Sequence, residues 1–122
     1  MKGKQKVIDT LNDLLAGELV AIDQYFIHSR IFEDMGLNKL FEHLDHEREE
    51  ETDHADQMIK RILFLEGKPN LTKRPSINVG ETVPEILKND LELEYSVIKN
   101  LKAAIALCEQ EQDFETRAML LK

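Results

Sequence analysis

Four side chains of metal-binding type fall on the apolar stripes of what read as long helices: Glu18, Glu51, His54 and Glu94. Glu51 and His54 stand three residues apart, and at 3.6 residues per turn that spacing turns both toward one face. A carboxylate and an imidazole among leucines are costly to bury unless a hydrogen-bond network or a metal ion compensates them. Glu18 and Glu94 interrupt two other stripes in the same manner. Each feature alone has a plainer explanation. A helical Glu-x-x-His is a common coincidence in a stretch that also holds Glu47, Glu49 and Glu50, and a lone Glu in a stripe more often snorkels to water at a bundle edge. What favours chemistry is that all four lie near the middle of long stripes, at heights that meet if the helices pack as their connections imply.

The first helix is expected over residues 4–34, with Leu11, Leu14, Leu15, Glu18, Ile22, Tyr25, Phe26, Ser29 and Phe32 on one face. Gly36 ends it, and so short a connection sends the second helix back antiparallel. That helix is expected over residues 38–66, its face formed by Leu40, Phe41, Leu44, Glu47, Glu51, His54, Met58, Ile62 and Leu65. Gly67 suits a left-handed cap, and Pro69 blocks continuation. Residues 68–81 carry no apolar period. A helix of roughly 28 residues is about 42 Å long, and about 14 nearly extended residues just cover that distance. The connector can therefore return the chain along the whole bundle and set the third helix parallel to the second.

Thr82, Pro84 and Glu85 open the third helix with a capping-box spacing and a proline in the first turn. Its stripe is Val83, Ile86, Leu87, Asp90, Leu91, Glu94, Val97, Ile98, Leu101, Ile105 and Cys108. The pattern breaks over residues 110–113, where Asp113 is placed to cap a fourth helix starting at Phe114. Only residues 114–122 remain for it. The expectation is one all-α domain over residues 1–122: a four-helix bundle with a long crossover, its fourth helix truncated and any fifth missing. Leu11, Leu15, Ile22, Leu91, Ile98 and Leu101 should then be partly uncovered.

The composition narrows the partners. A net charge of −8 with no basic stripe argues against nucleic acid, and the same negative field attracts cations. Cys108 is the only cysteine, so an intrachain disulfide is impossible and a reducing cytoplasm is the simplest setting. The N-terminal segment lacks the apolar run of a signal peptide, and no stretch is suited to crossing a bilayer.

Helical bundles hold paired iron ions with one Glu from each of two helices and a Glu-x-x-His from each of the other two. Glu18 and Glu94 fit the single glutamates, and Glu51 with His54 fits one pair. The second pair is not in this sequence.

The chain resembles bacterioferritin, the bacterial ferritin family, over essentially all of its length. The stretches that carry the likeness are LLAGELVAIDQY at residues 14–25, ETDHAD at 51–56, RILFLEG at 61–67 with Pro69, and NDLELE at 89–94. The resemblance implies a ferritin-like bundle in a 24-subunit shell that oxidises Fe(II) with oxygen or peroxide and stores a ferric mineral. It implies that Glu18, Glu51 and His54 hold the first iron, that Glu94 serves the second with Glu51 bridging, and that Tyr25 assists beside the centre. It further implies a weaker inner-surface iron site at His46 and Glu50, which read equally well as a solvated helix face. The family binds haem through a methionine directly after the residue matching Glu51. Here that position is Thr52, whose hydroxyl is a poor axial ligand, so the chain resembles the haem-free members and haem is not expected. Three arrangements stay open: a storage subunit with an incomplete ferroxidase centre that co-assembles with a full-length relative, a structural module whose groove accepts a partner helix, and a fragment of an ordinary ferroxidase.

Overall fold

The computed structural model describes residues 2–122 and contains four helices: α1 (Gln5–Asp34), α2 (Asn38–Phe64), α3 (Val83–Gln110) and α4 (Phe114–Leu120). No strand occurs among the described residues. The α1–α2 hairpin closes at Gly36, which takes φ +77°, a conformation a side chain resists. The end of α2 departs from expectation. Glu66, not Gly67, adopts the left-handed conformation, with φ 62°. Gly67 is required for a different reason: a Cβ there would lie 2.7 Å from Cγ2 of Ile8, so the turn can pack against α1 only without a side chain.

The crossover runs along α1 and is tied to it at successive heights. Asn12 donates to the Lys68 carbonyl and accepts from the Asn70 N–H. Arg74 bonds Asp23 at 2.7 Å. Gln24 and His28 then accept the N–H groups of Asn78 and Gly80. The chain thus returns to the far end of the bundle, and α3 starts there, capped by the Thr82 hydroxyl. It descends antiparallel to α1 and parallel to α2, as the connector length allowed. At the bottom, Asp113 caps α4. Arg61 of α2 grips this corner, donating to the Thr116 hydroxyl at 2.8 Å and to Asp113 at 3.4 Å.

Two apolar clusters form the core. The lower joins Leu11, Leu15, Met58, Ile62, Cys108 and Leu120, and the upper joins Ala21, Tyr25, Phe32, Leu44 and Ile86. Full burial of each large side chain contributes about 1.5–3 kcal/mol. Leu11 and Leu15 are completely buried, against the expectation of exposure, because α2, the lower half of α3 and Leu120 close over them. Leu91 and Ile98 do stand 47% exposed, as does Leu87 at 46%, since α3 packs chiefly on α1 and scarcely meets α2. Phe26 leaves its expected stripe. It is 48% exposed, and Arg30 and Arg48 stack over its ring at 4.7 and 5.4 Å. In its place Gln24 and His28 are buried, because α1 is covered by α2 on one side and by α3 and the crossover on the other.

Candidate metal centre

Along α1, Glu18 falls between Leu15 of the lower cluster and Ala21 of the upper one. It is only 3% exposed. From α2, Glu51 and His54 reach the same point, as the three-residue spacing demanded. Nδ1 of His54 lies 3.5 Å from Oε2 of Glu51 and 3.8 Å from Oε2 of Glu18. One ligand atom from each residue falls within 4.8 Å of the others. Atoms bound to one ion at about 2.1 Å sit about 3–4 Å apart, so contraction by about an ångström would close the group on a cation. Both Oε2 atoms are buried without a hydrogen-bond partner. Two orphaned carboxylate oxygens facing one imidazole are expensive, and a divalent cation would satisfy both. The His54 side chain is 48% exposed, which leaves room for water or substrate beside the trio.

Glu94 approaches from α3 but does not join this group. Its Oε1 accepts a 3.4 Å hydrogen bond from the Tyr25 hydroxyl. With Glu51, Tyr25 and Glu47 it lines a pocket of about 200 Å³. Glu51 therefore stands between two positions, one shared with Glu18 and His54 and one facing Glu94. Burial raises the Glu51 pKa, His54 opposes that, and Glu94 adds to it. Tyr25 is held firmly as the neutral phenol by burial first, then by the negative charges of Glu94, Asp90 and Glu47. Glu47 stood on the expected face of α2 but was not among the candidate ligands; the signal that singles it out is its place one turn before Glu51 on the same face.

The remaining candidates lie on the surface. His46 and Glu50 pair at 3.0 Å on the exposed side of α2. Thr52 is exposed, and its hydroxyl donates to the Arg48 carbonyl. No helix of the described residues is long and apolar enough to cross a membrane.

A helical bundle with one long crossover and a carboxylate–imidazole cluster at mid-height defines the ferritin class, and the family model described as the ferritin-like domain matches residues 8–122. The chain belongs to the ferritin family. It is 57% identical over 122 residues to the bacterial ferritin of Synechocystis sp., covering all of this chain and 78% of that protein. It is likewise 57% identical to the bacterial ferritin of Pseudomonas aeruginosa, over 98% of this chain and 77% of that one. To the bacterioferritin of Mycolicibacterium paratuberculosis it is 40% identical, over 98% and 75%.

Proposed function

We propose that this chain is an iron-storage subunit that binds Fe(II) at Glu18, Glu51 and His54 and takes part in its oxidation to Fe(III). The observation that carries the reading is the pair of buried, unpartnered carboxylate oxygens of Glu18 and Glu51 facing the His54 imidazole. Hard carboxylate oxygens favour Fe(III) over Fe(II), and one imidazole keeps the site able to receive Fe(II). Each Fe(II) gives one electron to oxygen or peroxide. Glu94, with Glu51 bridging, serves a second and weaker ion, and Tyr25 holds Glu94 in readiness. The acidic surface draws cations inward. Phe26 and Ile27, exposed on α1, suit burial between subunits of a shell in the cytoplasm.

A second reading is favoured by the uncovered α3 face of Leu87, Leu91 and Ile98. A cavity of about 410 Å³ adjoins the trio, lined by Glu18, His54, Met58, Leu101 and Leu120 among others. Here the chain acts as a structural subunit that accepts a helix from a bacterioferritin-type partner. Anaerobic Fe(II) titration separates the two. The storage reading expects at least one tightly held ion per chain, lost in Glu18→Ala and His54→Leu, and ferric absorbance on admitting air. Equal binding by parent and both variants would overturn it.

A further inference from the structure

One turn from Glu94 and Tyr25, toward the start of α3, a second polar set bridges α1 and α3 and is closed to solvent. Gln24, His28 and Asp90 are 1%, 0% and 6% exposed. Oδ1 of Asp90 accepts from Nε2 of Gln24 at 2.9 Å and faces Nδ1 of His28 at 2.8 Å. Nε2 of His28 accepts the Gly80 N–H at 2.9 Å. A backbone N–H can only donate, so Nε2 is bare and the imidazole proton sits on Nδ1, directed at Asp90. Three buried polar side chains occupy a place that leucines would fill at lower cost.

Their directionality explains what leucines would not supply. The hydrophobic effect that holds α3 on α1 has no direction of its own, whereas hydrogen bonds are specific in length and angle. Because α3 scarcely meets α2, its height at this end of the bundle is set chiefly against α1. Asp90 and Glu94 are four residues apart on one rigid helix, about 6 Å along its axis. Any slide at Asp90 therefore moves Glu94 equally. At 3.4 Å the Tyr25–Glu94 bond has no length to spare.

We propose that Gln24, His28 and Asp90 are positioning residues: they clamp α3 and the end of the crossover to α1 at the height that brings Glu94 opposite Glu51 and Tyr25. The consequence for metal binding rests on the reading of Glu94 as a ligand, but the clamp itself is measurable without metal.

The chain has two tyrosines and no tryptophan, so Tyr95→Phe leaves Tyr25 as its only strong emitter. A hydrogen-bonded carboxylate quenches phenol emission, and Glu94→Gln sets the unquenched level. Asparagine at position 28 carries its amide nitrogen near the place of Nδ1 and keeps the Asp90 bond. Glutamine there carries its amide oxygen near the place of Nε2 and keeps only the Gly80 bond. In the metal-free Tyr95→Phe protein, His28→Asn should retain quenched emission while His28→Gln rises to the Glu94→Gln level. A general loss of stability would affect both alike, so equal behaviour of the two, quenched or unquenched, overturns the clamp. If His28→Gln does not fold, Asp90→Asn (quenched) against Asp90→Ala (unquenched) makes the same comparison. Terbium(III), an oxygen-seeking ion excited through Tyr25, then reads the consequence. Glu94-dependent terbium emission should persist in His28→Asn and vanish in His28→Gln, and its survival in His28→Gln also overturns the proposal. If the metal-free difference holds but the parent gives no Glu94-dependent terbium emission, the clamp stands and Glu94 is not a ligand.

Discussion

Replacing Glu18 by glutamine should stabilise the metal-free chain and destroy its response to metal. The Glu18 and Glu51 carboxylates put ligand atoms within 4.8 Å of each other. Were both ionised, their repulsion at an effective dielectric of about 20 would be on the order of 3 kcal/mol. Part of that is already relieved, because burial raises the Glu51 pKa and His54 lies beside both groups. The glutamine side chain keeps the volume, removes one charge and offers an N–H to Glu51 Oε2, which has no hydrogen-bond partner in the parent. The net gain is about 1–2 kcal/mol, or roughly 3–10 °C in melting temperature for a domain of this size. Co(II), which resists oxidation, tests the other half. At about 100 times its dissociation constant it should add about 2.7 kcal/mol to the parent, roughly 8–13 °C, and little to the variant. Thermal melts followed by circular dichroism, with and without Co(II), measure both effects. The reasoning fails if Glu18→Gln melts below the parent without metal, or if it keeps the parental Co(II) increment.

Acid should reverse the balance at Glu51, whose folded-state pKa lies above the ordinary 4.5. Between those two values the folded metal-free chain binds more protons than the unfolded one, so its stability falls as pH rises through that window. The Co(II) increment should grow through the same window, and an increment independent of pH would contradict this. Cys108 is buried, and burial pushes its thiol up to about 11, so a thiol reagent at mildly alkaline pH should react on the timescale of unfolding; reaction within the mixing time would refute that. Leu15→Ala, at a fully buried position, should cost about 2–5 kcal/mol in denaturant unfolding, and a loss below about 1 kcal/mol would mean the lower cluster is looser than described. Phe26→Lys should weaken association between copies in sedimentation runs while leaving the melt of the dissociated chain within about 0.5 kcal/mol; unchanged association would remove α1 from the interface.

The sequence by itself determined the helices, because hydrophobic period, a capping threonine and the break at Gly36 act over a few residues. It showed that the crossover is long enough to set α3 parallel to α2, and it determined the shared face of Glu51 and His54 through helical spacing alone. Glu18 alone could have snorkelled to water at a bundle edge; its shared mid-stripe height with Glu51, His54 and Glu94 is what marked it. What only the tertiary structure decided depends on which neighbour covers which face. Phe26 and Leu15 sit on one apolar stripe, yet one is half-exposed and the other sealed, because Leu15 lies under α2, α3 and Leu120 together. Gln24 and His28 lie off the apolar stripe of α1 and are nevertheless buried, since their partners, Asp90 and the backbone of residues 78 and 80, lie more than fifty residues away. Glu94 lines a pocket with Glu51, but its separation from the Glu18–Glu51–His54 trio follows from α3 resting on α1 rather than on α2. Local pattern states which side chains a helix can turn inward; the packing of distant elements decides which of them meet.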